Sequence, residues 1–373
     1  MKHTPALRRL SRIALPVALS FLTGCAALEA QKIAGEGNRL VEKNQLDEAV
    51  SKFNASLAKG DNDTAHAGLA EAYLRQGKYS EAEQQARTAI KITNGQVVRY
   101  KLILARALLL QNEGPKAYET ASEAVKQVKD QMTDPLSKAT AKEGILLQGR
   151  IIQATGNPEN SLGLLQDPNV QARWPDDLDF RAEVAVTMAM MGQHDQAMKL
   201  ADSVIKMKST EGDALLAKGM VLASKGEVAE AKKLLEKPLR DDHSRVMTFL
   251  SVTRQLRQEK KNPQAVELLE MLSQIMPKYH VLHGELAFVY LDLDKVPESI
   301  REHELALETS PSLKPYASKA TLAEYEQATC LRPDANARSM PFSLSTRPLK
   351  VTSSRVGRRP HSSSASAICG TAF

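Results

Sequence analysis

Aromatic residues and cysteines are scarce in this chain of 373 residues. Aromatic residues make up 4% of it, with a single Trp, and there are three cysteines. A β-sandwich would require more aromatic and β-branched side chains. Stacked helices, whose small and aliphatic side chains let the axes approach closely, fit this composition better. Because Cys25, Cys330 and Cys369 lie far apart, they do not resemble a disulfide framework or a zinc site. The composition therefore predicts an all-α protein.

Motifs of catalysis and of cofactor binding are also missing. The sequence contains no HExxH, no GxSxG, no P-loop, no paired-Cys motif and no GxGxxG after a predicted strand. His280 and His283 have a spacing that places both imidazoles on one helical face, but no carboxylate–His group accompanies them in the sequence. We therefore predict no enzymatic activity, no cofactor and no bound metal ion.

The net charge of +6 comes from the two ends of the chain. Residues 1–24 carry a net charge of +4, and residues 334–373 carry +5. The remainder, residues 25–333, has a net charge of −3. Nucleic-acid binding requires a basic surface on the main domain, so the charge distribution does not support a nucleic acid as a partner.

The N-terminus has the features of an export signal. Residues 1–12 are basic, and the apolar run of residues 13–22 is too short to span a hydrocarbon core of ~30 Å but is typical of a signal peptide. The following Leu22-Thr23-Gly24-Cys25 resembles a bacterial lipobox. The resemblance implies a signal peptide at 1–24, a lipidated linker at 25–29 and a diacylglycerol on the Cys25 thiol, which is a palmitate-type anchor that stays in the membrane. In Gram-negative lipoproteins, Ala26 after the cysteine points to the outer membrane, facing the periplasm.

Pairs of small residues twelve positions apart recur along the chain. Antiparallel helices joined by a tight turn approach most closely where both lack bulk, so each pair predicts one helical hairpin. The second members of successive pairs lie 33 to 36 residues apart, except for an interval of 44 between Ala117 and Ser161, where ten extra residues (132–141) precede the fourth unit. The eight pairs are Gly37/Ala49, Ala70/Ala82, Ala105/Ala117, Gly149/Ser161, Ala185/Ala197, Gly219/Ala231, Thr253/Ala265 and Ala287/Ser299.

The turn inside each hairpin is marked seven residues after the first small residue. Six of these eight positions hold Gly or Asn, which tolerate the left-handed conformation that ends a helix better than other residues do. The eight residues are Asn44, Gly77, Asn112, Gly156, Gly192, Gly226, Lys260 and Asp294.

One unit, over residues 68–89, shows the repeat most clearly. It contains Gly68-Leu69-Ala70-Glu71-Ala72-Tyr73, Gly77-Lys78-Tyr79 and Glu81-Ala82, followed by Ala86 and Ala89. This unit resembles a tetratricopeptide repeat. The resemblance implies a right-handed α-solenoid of about eight such hairpins over residues 30–333, with a concave face lined by the first helix of each hairpin. Gly163 and Pro168 interrupt the pattern, so we expect a weaker joint near 132–177. The last unit, 314–333, is incomplete.

Residues 334–373, rich in Ser and Arg, are predicted to be disordered. They fit a solvated native tail, a basic arm or an altered reading frame after a truncated array.

Five arginines are the candidate groove-binding residues, because the repeat geometry places them on first helices, where they could receive carboxylates of a partner bidentately. They are Arg75, Arg106, Arg150, Arg254 and Arg257.

The sequence therefore predicts a scaffold or adaptor, anchored to the envelope through Cys25, which binds a protein or peptide and acts on no small-molecule substrate. Lipoproteins of this kind support pilus assembly, export or polysaccharide assembly, and also occur beside exopolysaccharide and PEP-CTERM protein-sorting systems. Two alternatives stay open: a regulatory subunit of an envelope peptidase or glycosyltransferase, and a truncated, non-functional remnant.

Overall fold

The structure is a computed structural model that describes residues 26–129 and 134–309. Every regular element in these ranges is a helix, and the helices pair into eight hairpins with one short additional helix, α9, so the predicted all-α solenoid is confirmed. The first four hairpins are α1 (26–42) with α2 (Leu46–Lys59), α3 (Asp63–Arg75) with α4 (Tyr79–Ile92), α5 (Val98–Leu110) with α6 (Gly114–Lys129), and α7 (Pro135–Ala154) with α8 (Pro158–Leu165). The short helix α9 (Pro168–Arg173) follows them. The last four hairpins are α10 (Leu178–Met190) with α11 (His194–Met207), α12 (Gly212–Lys225) with α13 (Val228–Asp241), α14 (Ser244–Gln258) with α15 (Asn262–Ile275), and α16 (His280–Asp292) with α17 (Val296–Thr309).

The small-residue pairs lie where the two helices of each hairpin meet. All sixteen paired residues are buried. Where the second member is Ser, its hydroxyl also bonds to the first helix: Ser161 Oγ donates to the carbonyl of Gly149 (3.0 Å) and Ser299 Oγ to that of Ala287 (2.8 Å). The twelve-residue spacing therefore identified residues that are buried in every helix pair.

The turns within the hairpins also follow the sequence prediction. All eight positions seven residues after the first small residue have positive φ, from 56° at Asp294 to 89° at Gly226. This left-handed residue ends the first helix and lets the chain reverse. Glycine adopts the conformation without steric cost, whereas Lys260 (φ 58°) adopts it with a Cβ present.

The fourth hairpin departs from the others. Its first helix, α7, has 20 residues because Asp134 caps it early, accepting hydrogen bonds from the backbone N–H groups of Leu136 and Ser137, with Pro135 at the first helical position. Its second helix, α8, ends at Leu165, just before Pro168, and Gly163 lies within it. Pro168 therefore interrupts the pattern, as expected, while Gly163 does not.

Contacts between distant hairpins join the array to itself. Helix α14 of the seventh hairpin packs against α5, α7 and α10 of the third, fourth and fifth hairpins. The rings of Tyr79 and Tyr279, 200 positions apart in sequence, meet edge to face with their centroids 6.0 Å apart. The chain divides into two units after Ala306, so these contacts all lie within the first unit. The segment expected to be a weaker joint, near 132–177, is thus bridged by α14.

Several predicted features lie outside the described residues: the signal peptide at 1–24, the lipidation site Cys25, the incomplete unit at 314–333 and the tail at 334–373. In the part of the chain that the structure describes, no helix is both long and apolar enough to cross a membrane.

Candidate protein-binding surface on the first helices

Each of the five candidate arginines contacts the neighbouring hairpin. Their partners lie 31 to 35 positions away in sequence, which is the length of one repeat. Arg75 Nη1 donates to the carbonyl of Val41 (3.1 Å), Arg106 Nη2 to Glu71, Arg150 Nε to Glu183 (3.1 Å), Arg254 Nε to Glu285 (2.7 Å) and Arg257 Nη2 to Asp292 (3.4 Å). These bonds hold adjacent first helices together. The four carboxylates neutralise most of the positive charge that was expected to bind carboxylates of a partner.

A buried ion cluster, made of Arg150, Arg245, Glu183, Asp213 and Asp242, lies between α7, α10, α12 and the start of α14. The side chains of Arg245 and Glu183 are 1% and 0% exposed and form a bidentate pair. Arg150 reaches Glu183 (3.1 Å), Asp213 (2.9 Å) and Asp242 (3.1 Å), and Arg245 also contacts Asp213. Such a cluster is tolerated in a core because every charge has a partner of opposite sign.

The environment of the cluster shifts the pKa values of its acids. Burial alone would raise the pKa of Glu183, but the charges and hydrogen bonds of Arg245 and Arg150 outweigh burial and lower it to about 2. Burial opposes ionisation of Asp242 in the same way, yet both arginines and the Ser244 hydroxyl lower its pKa to about 2. The pKa of Asp213 is raised, because burial and its acidic neighbours outweigh the arginines. Glu183 and Asp242 are therefore ionised at neutral pH.

Neutral side chains extend this cluster toward α14. Gln153 Nε2 on α7 donates to Glu183 (2.7 Å) and to the hydroxyl of Thr187 (2.9 Å) on α10, and Thr248 on α14 donates to Gln153 Oε1 (3.4 Å). The first helices of hairpins three to five thus bury their inner faces against α14. Gln153, Thr187 and Thr248 are buried at this contact and are therefore not accessible to a peptide.

A cleft of about 200 Å³ remains open beside the cluster, where the ends of α3 and α5 meet the turn between α13 and α14. Two of its buried polar atoms, Nε of Arg106 and Nδ1 of His243, have no hydrogen-bond partner. Burial lowers the pKa of His243, although Asp242 and a hydrogen bond to the backbone of Leu74 oppose the change. Lining side chains include Glu71, Arg75, Arg106, Asp242, His243 and Ser244.

The two histidines that share one helical face in the sequence have separate partners in the structure. His283 bonds to Glu302 (2.7 Å) and to the carbonyl of Pro277 (3.0 Å), and the ring of His280 lies against Tyr279, so the two histidines do not converge on one point. Among the described residues, no three His, Cys, Asp or Glu side chains are arranged to hold a metal ion.

Comparison with known proteins agrees with the hairpin geometry. Residues 35–97, which cover most of α1 to the turn before α5, match the family model for the tetratricopeptide repeat. Residues 35–97 therefore carry tetratricopeptide-repeat sequence. Such repeats bind protein or peptide partners and are generally non-catalytic scaffolds, and they stack into extended concave surfaces that serve this binding.

The solved structures that this chain resembles have low sequence identity to it. YrrB, described as a tetratricopeptide-repeat protein with an unusual peptide-binding site, is 19% identical, with 50% of this chain and 90% of that chain covered and a TM-score of 0.33. PilF of Pseudomonas aeruginosa is 15% identical over 57% of this chain and 92% of its own, with a TM-score of 0.41. A MamA RS-1 double mutant is 17% identical over 44% and 91%, with a TM-score of 0.29. No curated protein matches the sequence.

Proposed function

We propose that the chain is an adaptor of the bacterial envelope, anchored through acyl chains on Cys25 to the outer membrane and facing the periplasm. Its repeats hold a protein or peptide partner and perform no covalent step. The anchor is supported by the export signal and by the lipobox-like Leu22–Cys25. The binding role is supported by the tetratricopeptide repeats.

The partner binds at the open cleft formed by Glu71, Arg75, Arg106 and His243, because α14 packs against the first helices α5, α7 and α10 and leaves this cleft open. The observation that carries this assignment is the pair of unpartnered polar atoms, Nε of Arg106 and Nδ1 of His243. A buried polar atom without a hydrogen bond is costly, and the Arg106 side chain is still 23% exposed, so a partner that supplies an acceptor oxygen to the accessible part of this guanidinium gains affinity at the cleft. An extended peptide or the end of a helix presents such oxygens.

The cleft is tested by crosslinking the lipidated protein in cells, followed by capture and mass spectrometry. Arg75→Glu reverses a charge in the cleft, and Arg254→Glu is the matched control, because Arg254 also bonds to a neighbouring hairpin but lies outside the cleft. We expect one dominant envelope protein that is lost with Arg75→Glu and retained with Arg254→Glu. Loss with both variants or with neither would contradict the cleft, and the absence of a dominant partner would contradict an adaptor.

The anchor is tested separately. Cys25→Ser should abolish both acyl labelling and retention in the membrane fraction, because the thiol is the acylated group. Cys330→Ser is the matched control and should leave both unchanged. If the Cys25→Ser protein is still labelled with acyl chains, the assignment of the lipidation site is wrong.

A further inference from the structure

Histidines are concentrated in the last hairpin. Of the six histidines that the structure describes, three lie in α16 and α17: His280, His283 and His303. Histidine is the side chain that ordinarily changes its charge between pH 5 and pH 8. This hairpin therefore has more groups that can respond to pH near neutrality than any other described hairpin.

His283 lies between two groups that only accept hydrogen bonds. Its side chain is 6% exposed, Nδ1 lies 2.7 Å from the carboxylate of Glu302 on α17, and Nε2 lies 3.0 Å from the carbonyl oxygen of Pro277, which follows α15. A neutral imidazole has one N–H group and one bare nitrogen, whereas the imidazolium ion has two N–H groups. Both contacts are hydrogen bonds only when the ring and the carboxyl group together hold two protons. The geometry is therefore that of an imidazolium beside a carboxylate.

The surroundings of His283 favour its charged form. Burial alone would lower its pKa, but the hydrogen bonds to Glu302 and to the Pro277 carbonyl, together with the charge of Glu302, outweigh burial and raise it. Pro277 lies two positions after Ile275, the last residue of α15, and the last turn of α15 holds no basic residue. The negative end of the α15 dipole therefore also favours a cation at this point.

The two other histidines of the hairpin have different surroundings. His280 lies one turn before His283 on α16, and burial and the charge of His283 lower its pKa. His303, next to Glu302 on α17, meets the ring of Phe288 edge to face with the centroids 5.7 Å apart, and burial lowers its pKa. The charged or titratable side chains that face His283 are thus Glu302 from α17 and His280 from α16, while the turn after α15 presents a carbonyl group.

Two arginine–carboxylate pairs also join the seventh and eighth hairpins. Arg254 bonds to Glu285 (2.7 Å), and Arg257 bonds to Asp292. These pairs are partly exposed to solvent, and such pairs contribute little to stability. Ordinary carboxyl and guanidinium groups keep their charge between pH 6 and pH 8. A change of pH in this range therefore affects the contacts of His283 and leaves these two pairs unchanged.

We propose that His283 is a proton-dependent tie, which joins α17 and the end of α15 to α16 while the ring is protonated and releases them when it loses a proton. Without that proton, a bare nitrogen faces an oxygen, and the Glu302 side chain, which is 17% exposed, has no cation beside its carboxylate. Both changes are unfavourable in a largely buried site. The tie depends neither on the proposed lipid anchor nor on the cleft, since His283, Glu302 and Pro277 lie outside both.

The direction of the pH dependence follows from the raised pKa of His283. A group whose pKa is higher in the folded state contributes stability that is complete below its unfolded pKa and is lost as the pH rises through the folded pKa. For His283 the unfolded pKa is about 6.5. The eighth hairpin is therefore held most firmly below pH 6.5 and opens more readily as the pH rises above this value.

Nuclear magnetic resonance of the full-length chain, with its histidines labelled with a nitrogen isotope, tests the protonation. The signals of His280 and His283 are identified by their absence from His280→Gln and His283→Gln. We expect both ring nitrogens of His283 to carry a proton at pH 6, and the titration midpoint of His283 to lie above that of His280. Glu302→Gln should lower the midpoint of His283. A midpoint at or below that of His280, or one unchanged in Glu302→Gln, would overturn the proposal.

Hydrogen exchange of α16 and α17 tests the release, with Glu302→Gln and His280→Gln as the matched variants. The amide of Glu302→Gln can donate an N–H to the bare nitrogen of a neutral His283, so both contacts persist without the extra proton. After correction for the intrinsic exchange rate at each pH, protection in the wild-type chain should be roughly threefold or more lower at pH 8 than at pH 6, because each pH unit between the two pKa values changes the equilibrium about tenfold. The same loss is expected in His280→Gln, whereas protection in Glu302→Gln should change by less than about twofold.

Each outcome of the exchange experiment decides the proposal. Equal protection at the two pH values in the wild-type chain would overturn it. A pH dependence that persists in Glu302→Gln would also overturn it, because the charge pair would then not be the cause. A dependence that is lost in Glu302→Gln and kept in His280→Gln assigns the tie to His283.

Discussion

At the scale of single residues, the turn at Lys260 is strained. Its φ of 58° is a left-handed conformation that costs a residue with a Cβ ~1–2 kcal/mol. Glycine adopts this conformation without steric strain, although it increases the conformational entropy of the unfolded chain. We expect Lys260→Gly to raise the free energy of unfolding by ~0.5–1 kcal/mol in urea denaturation. Lys225→Gly is the matched control, because Lys225 is exposed and helical, and it should lower stability by a similar amount. A loss of stability with Lys260→Gly would contradict the turn geometry.

The pair of Glu183 and Arg245 is the second feature at this scale. Removing one partner of a buried pair leaves an uncompensated charge and costs ~3–5 kcal/mol, while replacing both with apolar residues is often close to neutral. Because Arg245 keeps its contact with Asp213, we expect Glu183→Gln to lower the free energy of unfolding by less than this, roughly 1.5–3 kcal/mol, the range for a hydrogen bond to a charged group. The double variant Glu183→Leu, Arg245→Met should lose much less than the sum of the two single variants, measured by urea denaturation. Additive losses would mean that the pair is not coupled.

At the scale of helices, the ring of Phe53 on α2 fills the space left by two glycines on its neighbours. An added Cβ would lie 2.2 Å from the ring at Gly68 on α3 and 2.6 Å from it at Gly37 on α1. We expect Gly68→Ala to lower the free energy of unfolding by ~1–3 kcal/mol through overpacking. Gly35→Ala, which meets no atom within 4 Å, is the control and should raise stability by up to ~1 kcal/mol. Phe53→Leu should reduce the cost of Gly68→Ala in a double variant.

The helices could be predicted from the sequence because their determinants are local and repeated. Small pairs such as Ala70/Ala82 allow the two helices of one hairpin to pack closely, and turn residues such as Gly77 adopt the positive φ that ends the first helix. These two requirements recur in all eight hairpins. The pairing of arginines with carboxylates of the neighbouring hairpin could also have been predicted from the sequence. Arg106 and Glu71 each directly follow the first small residue of their hairpin, so a pair one repeat apart can be found by comparing successive units.

At the scale of the whole molecule, the contacts of α14 could not be predicted. Glu183 and Arg245 are 62 positions apart, and Gln153 and Thr248 are 95 apart. Their meeting depends on how small rotations between successive hairpins accumulate, which no single hairpin sequence specifies. A charged Glu183 within the apolar run of α10 was the one local signal, because a buried charge requires a partner of opposite sign. The open cleft beside α14 was unpredictable for the same reason.

The same long-range contacts make the whole array sensitive to acid. The pKa values of Glu183 and Asp242 are both lowered to about 2, from ordinary values of 4.5 and 3.8. A lowered pKa in the folded state contributes stability that is present above the unfolded value and lost as pH falls toward the folded one. We therefore expect the urea midpoint to fall steeply between pH 4.5 and pH 2, the window given by these two groups.

This loss should reach several hairpins at once, because the cluster joins α7, α10, α12 and α14. Hydrogen exchange at pH 3 should show these four helices opening together, with α1 and α2, which are far from the cluster in sequence, following separately. The double variant Glu183→Leu, Arg245→Met lacks one of the two shifted acids, so its urea midpoint should fall less over the same pH range. An equal fall in this variant would place the acid sensitivity outside the cluster, and the cluster would then not be the feature that closes the array on itself.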